Sequence, residues 1–163
     1  MTTKNLLLGA LLTAFALVIP ISFGGYLRIY IPPFSATLAS HVPVMLAFLV
    51  SPLAAVMVGL GSTIGFLIMT GPVIAARAFI HVIFGYVGSK LIQRGSTFEK
   101  ALFLTAPLHA LGESLIVLPF GFTFYNALVL VGLGTLLHHL LDSTIAIILV
   151  KSPLAGMIFK VKN

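Results

Sequence analysis

Long apolar runs, interrupted at a few points by proline, glycine or clustered charge, set the pattern of this chain. The first extends from Leu6 to Phe23 and stops at Gly24-Gly25. It is followed by Tyr26-Leu-Arg-Ile-Tyr-Ile-Pro-Pro-Phe34, a connection too aromatic and proline-rich for a solvated linker. From Ser35 to Met69 the chain is apolar almost throughout. A helix over Val42 to Met69 alone measures about 42 Å at 1.5 Å per residue, too long for a hydrocarbon core of about 30 Å. Ser51-Pro52 supplies the break, with serine as helix cap and proline in the first helical position. The expected second helix therefore covers Ala39 to Val50 and the third Pro52 to Met69.

Thr70-Gly71-Pro72 is a turn, and a fourth helix continues to Ile92. Arg94-Gly-Ser-Thr97 is another turn, with Thr97 capping a fifth helix from Phe98 to Leu118. After the aromatic connection Pro119 to Phe124, a sixth helix covers Tyr125 to Val150. The fold class expected is an all-α integral membrane protein. It is a bundle of six transmembrane helices, with a structured loop between helices 1 and 2 and one domain over residues 1–163.

Composition agrees, since 60% of residues are hydrophobic and 7% charged, outside the range of soluble domains. With no cysteine, disulfides, thiol catalysis and thiolate metal sites are excluded. The net charge of +6 raises nucleic acid as a partner, but the cations sit between apolar runs and not on one face or arm. Lys4, Lys90, Arg94, Lys100, Lys151, Lys160 and Lys162 fall on one side of a six-span arrangement and Arg28 on the other, which makes the first side, with both termini, cytoplasmic. Five spans merely exchange Lys4 for Arg28, so the Ser51-Pro52 break decides for six. The weakly basic start reads as a first helix and not a signal peptide.

Ionisable groups inside apolar spans are costly and ask for a reason. Arg77 and Glu113 each lie five residues from the ends of their helices that face Arg28, at similar depth. His81 follows Arg77 by four and His109 precedes Glu113 by four, so each pair shares a helix face. These two faces, joined by His41, Tyr125 and Asn126, form an expected outward-facing substrate pocket of apolar walls and a few convergent polar groups. The plainer reading of Arg77 and Glu113 is a buried structural ion pair, and the two readings are compatible. His138, His139 and Asp142 lie deeper along the sixth helix by helical rise, outside that pocket. They contain metal-ligating types, but adjacent histidines point apart on a helix, and interhelical hydrogen bonding, including to His109, is preferred. Ala10-x-x-x-Ala14, the series Ser51, Ala55 and Gly59, and Gly61-x-x-x-Gly65 are spacings that allow close helix contact.

The six short helices, the loop from Gly24 to Ser35, Ala10-x-x-x-Ala14, and the stretch from His41-Val-Pro-Val-Met to Gly71-Pro-Val-Ile-Ala-Ala-Arg77-Ala-Phe-Ile-His81 together resemble the substrate-binding S components of energy-coupling factor vitamin transporters. Among them the chain is most similar to pantothenate-type members, with niacin-type members next. The resemblance implies a bacterial plasma-membrane protein that is not an enzyme. It captures a vitamin and associates with a membrane T component and two cytoplasmic ATPase subunits, which hydrolyse the ATP, so this chain itself needs no cofactor. It implies T-component docking at Ala10 and Ala14. The Met1-Thr2 start departs from the Met-His of metal-specific relatives. The competing classes are a proton-coupled secondary transporter acting as a dimer and an intramembrane metalloenzyme built on His138, His139 and Asp142.

Overall fold

The computed structural model describes residues 2–153, 158 and 159, so the expected basic tail at Lys160 and Lys162 lies outside the described residues. Helix α1 (Thr3–Val18) is capped by Thr2 and continues as a π-helical turn, Ile19–Phe23. A two-stranded antiparallel hairpin follows, β1 (Arg28–Ile31) and β2 (Phe34–Thr37), in register from Arg28↔Thr37 to Ile31↔Phe34. Then come α2 (Val42–Ala47), α3 (Pro52–Thr70), α4 (Pro72–Gln93), α5 (Phe98–Ile116) and α6 (Gly134–Lys151). A 3₁₀ turn, Leu118–Phe120, ends the α5 region, and a π-helical segment, Asn126–Leu133, leads into α6.

The punctuation residues act as their chemistry requires. Ser51 accepts a hydrogen bond from the Ala54 N–H at 3.1 Å, and Thr97 accepts one from the Lys100 N–H at 3.3 Å. Each satisfies one of the donors that a helix start leaves without an intrahelical partner. Gly71, at φ 84°, turns α3 into α4 in a backbone region that side chains disfavour.

One expectation changes and another gains detail. Five helical segments among the described residues are long and apolar enough to cross a membrane: Thr3–Phe23, Pro52–Thr70, Pro72–Gln93, Phe98–Phe120 and Asn126–Lys151. The expected second span, Ala39 to Val50, contains only the six-residue α2, about 9 Å of helix. Ala39 takes φ 66° and its N–H goes to the Asp142 carboxylate at 2.8 Å, so the chain is still turning there. The structured loop, for its part, is a β-hairpin.

The chain nevertheless returns to the end of the bundle from which α1 started. Asn5 donates through Nδ2 to the Val50 carbonyl at 3.3 Å, Ser89 donates to the Phe48 carbonyl at 3.1 Å, and Lys151 meets Glu99 at 3.4 Å. The starts of α1, α3 and α5 and the ends of α4 and α6 therefore share one end. Residues 24–50 make the return by hairpin and short helix where a full span was expected.

Core packing explains the small residues. Gly59 lies so close to α4 that an added Cβ would sit 2.6 Å from the Val82 nitrogen. Gly61 meets Thr13, and Gly65 meets Leu17 and Pro20, seating α1 on α3. A cluster including Met45, Phe48, Val58, Phe84, Phe98 and Leu102 fills the interior toward the terminal end. Leu7, Leu11, Phe15, Leu67, Phe103 and Leu137 are exposed around the outside, as suits helices solvated by lipid tails.

Candidate functional site

The i, i+4 spacing on α4 and α5 points Arg77 and His81 at His109 and Glu113. Arg77 donates through Nε to Glu113 Oε2 at 2.8 Å, its Nη2 lies 2.7 Å from the same oxygen, and its Nη1 donates to the Ser35 carbonyl at 3.2 Å. The guanidinium also lies over the Phe34 ring, 5.2 Å from its centroid. Thr135 of α6 donates to Glu113 Oε2 at 2.6 Å, and His109 Nε2 sits 3.1 Å from the other oxygen, Oε1. Glu113 thus gathers α4, α5 and α6 at one point, and through Arg77 it anchors the hairpin. The expected pair at matched depth is present, and both partners are buried.

Against this lies a core of imidazoles. His81 Nδ1 contacts the Ser62 hydroxyl at 2.9 Å. His109 Nδ1 faces His139 Nδ1 at 3.0 Å, and His139 Nε2 reaches the Leu102 carbonyl at 3.1 Å. The expected interhelical bond from the α6 histidines to His109 therefore forms, through His139. His41, at the start of α2, packs among His81, His109 and His138 with ring centroids 4.8, 4.6 and 4.2 Å away. Asp142 accepts from the backbone N–H groups of Ala39 and His41 and lies 3.2 Å from His138 Nε2. Its Oδ2 is 3.1 Å from His41 Nδ1, close but not aligned as a hydrogen bond.

A narrow cleft opens above these groups. It is lined by Arg28, Ser35, Ala36, Thr37, Ser40, His41, Phe66, Thr70, Ile74, Arg77, Ala78, His81, Glu113 and His138. Of the six expected substrate residues, Arg77, His81, Glu113 and His41 line it. Tyr125 and Asn126 do not: Tyr125 is exposed, and the Asn126 N–H is bonded to the Thr123 hydroxyl in the first turn of the segment. His138, expected too deep to take part, lines the cleft and contacts the Thr37 carbonyl at 3.1 Å. Helical rise gives depth from a helix's own end, and this equals depth in the bundle only where all helices end in one plane. The Asn126–Lys151 segment has 26 residues against 22 in α4, so its start overshoots and His138 falls level with the histidines of its neighbours.

Sequence reasoning left out of the site Arg28 and the hydroxyls of Ser35, Thr37, Ser40 and Thr70. Arg28, Ser35 and Thr37 lie in the hairpin, whose pairing decides which of its residues face the cleft, whereas Ser40 lies in the turn before α2 and Thr70 ends α3. Arg28 has a single contact among the described residues that engages its charge, the ring of Tyr30 at 5.2 Å.

Ala10 and Ala14 are exposed on α1, while Gly9, Leu12 and Ala16 on the opposite face are buried. The two alanines thus mark a shallow strip on the outer surface of the bundle.

No protein-family model matches the chain, and no solved structure matches it. It is 35% identical over 161 residues to the niacin transporter NiaX of Lactococcus lactis subsp. cremoris (strain MG1363), an alignment covering 88% of this chain and 72% of that protein. The likeness is to a niacin transporter and lends no support to the expected pantothenate type. It places the chain among transport proteins and not enzymes, and with the five apolar helices it makes the chain a multi-pass membrane protein. The chain belongs to the family of substrate-binding S components of energy-coupling factor transporters, whose work is vitamin uptake.

Proposed function

We propose that this chain captures niacin, as the nicotinate anion, from outside a bacterial cell and presents it for ATP-driven uptake. The observation that carries the reading is the cleft itself, which sets Arg77 and Arg28 beside hydroxyl groups and the apolar side chains of Phe66 and Ile74. Nicotinate is a flat ring bearing one carboxylate. It needs an apolar slot, a cation and a few hydrogen-bond partners, the usual make-up of a small-molecule site. Since Arg77 is already engaged by Glu113 and the Ser35 carbonyl, Arg28 is the cation with donors to spare for the carboxylate. Pantothenate, with its longer flexible body, fits a narrow cleft less well. The likeness to a niacin transporter supports the same choice.

In this reading the end of the bundle bearing the hairpin faces outward, and the end with Asn5 and Lys151 faces the cytoplasm. Ala10 and Ala14 form the strip on which the membrane T component docks, and two ATPase subunits supply the energy. Titration of the purified protein with nicotinate and with pantothenate, by calorimetry in detergent, tests the proposal. Saturable binding of nicotinate at least tenfold tighter than pantothenate is expected. Tighter binding of pantothenate, or no response to nicotinate, overturns it.

A further inference from the structure

Beneath the cleft, hydrogen-bond bookkeeping leaves a gap. The Leu102 carbonyl can only accept, so His139 donates to it through Nε2 and, when neutral, offers a lone pair at Nδ1. His109 must then donate through its own Nδ1, which leaves a lone pair on its Nε2. That lone pair faces Glu113 Oε1, another acceptor, at 3.1 Å. Two acceptors in contact in a buried site require a proton or a metal ion between them.

The surroundings specify which species fits. His41, His81, His109 and Glu113 are all buried, and each offers one ligand atom such that these atoms lie within 4.8 Å of one another. His81 Nδ1 is held by Ser62, which turns its Nε2 toward Glu113 Oε1 at 4.0 Å. The outer contacts also follow the pattern of a metal site. His109 is oriented by His139, His81 by Ser62, and Glu113 by Arg77 and Thr135 through the oxygen that faces away. Three imidazoles and one carboxylate oxygen suit a divalent transition metal. Tetrahedral zinc, with ligands at about 2.0–2.1 Å, sets them about 3.3 Å apart, so closure from the observed spread takes roughly an ångström of side-chain movement. Charge balance points the same way. In this interior one guanidinium, Arg77, stands against two carboxylates, Glu113 and Asp142, with Arg28 at the cleft mouth, and an uncompensated negative charge in a membrane interior is costly.

We infer that His41, His81, His109 and Glu113 form a binding site for a divalent cation of the zinc class on the floor of the cleft. The ion would cross-link α2, α4 and α5. Resting additionally on the niacin reading, it would turn the floor from net negative to net positive and so favour an anionic ligand, which Arg77 paired to Glu113 does not do unaided.

The test uses the whole purified protein in detergent, stripped with a chelator and titrated with cobalt(II) as a spectroscopic probe for zinc. One equivalent should produce the visible absorption of four-coordinate cobalt with nitrogen and oxygen ligands, and zinc should displace it. His81→Asn and Glu113→Gln should each weaken cobalt binding at least tenfold. The wild-type spectrum stands as the test should either variant fail to fold. Monodisperse wild-type protein without cobalt absorption overturns the site. So does ¹⁵N NMR of the metal-free protein showing His109 or His139 protonated on both nitrogens and unchanged by added zinc, because a proton then closes the gap. Nicotinate affinity is measured separately on stripped and zinc-loaded protein, with at least a tenfold gain on loading expected. Equal affinities overturn the electrostatic role. A zinc-loaded protein that ignores nicotinate overturns the niacin reading and leaves the metal site standing.

Discussion

Asp142 on α6 accepts the backbone N–H of His41 at 3.0 Å, 101 residues away in the chain, and its second oxygen takes the N–H of Ala39 at 2.8 Å. A carboxylate from another helix thus does for the start of α2 what a serine or threonine does for α1, α3 and α5. It also explains how a helix of six residues, far too short to be stable by itself, keeps its place. Asp142→Ala strands the buried N–H of His41 and the half-buried N–H of Ala39 and removes a partner of His138. Breaking a buried charged contact of this kind costs about 3–5 kcal/mol, so the apparent melting temperature in detergent should fall sharply. A melting temperature equal to wild type would show that α2 is held by other contacts.

The Arg77–Glu113 pair separates stability from binding. Removing Arg77 alone leaves Glu113 buried without its strongest partner. Replacing both, as Arg77→Met with Glu113→Gln, removes the charges together, and such exchanges are often neutral for stability. The double variant should insert and melt near wild type while nicotinate binding falls at least tenfold. Undiminished binding in the calorimeter would remove the pair from the substrate site.

Arg28 offers a cleaner change, because it is exposed and its charge meets only the ring of Tyr30 among the described residues. Arg28→Ala should leave the melting temperature unchanged and weaken nicotinate about tenfold, a loss of about 1.4 kcal/mol. Nicotinamide, which lacks the negative charge, should be insensitive to the substitution. Equal losses for the two ligands would mean that Arg28 shapes the cleft without reading the carboxylate.

For the docking strip, Ala10→Trp or Ala14→Trp puts a large side chain on an exposed face without touching the α1–α3 contact. Nicotinate binding by the isolated chain should persist, while copurification with the T component and the ATPases is lost. A complex recovered in wild-type yield would move the docking surface elsewhere.

Topology can be checked directly because the chain has no cysteine. Single cysteines at Lys4 and Lys151 should react with a membrane-impermeant reagent from the same side, in keeping with the shared end of α1 and α6. Reaction from opposite sides would contradict the return of residues 24–50.

Much follows from the sequence alone. Apolar runs of this length cannot be solvated by water, and serine, threonine, glycine and proline mark helix ends by local geometry, so the membrane class, the cap at Ser51 and the turn at Gly71 need no partner to be read. The i, i+4 spacing is equally local, which is why Arg77 with His81 and His109 with Glu113 were legible as faces. Tertiary structure alone decided what depends on residues far apart in the chain. The hairpin carries Arg28 and Ser35 into the site, and the longer Asn126–Lys151 segment brings His138 up to the level of His81. Asp142 fixes a helix too short to span, in place of the expected second crossing. Helical rise measures distance along one helix, but the offset between helices is set by packing and by buried polar groups seeking partners, and no periodicity within a single segment records it.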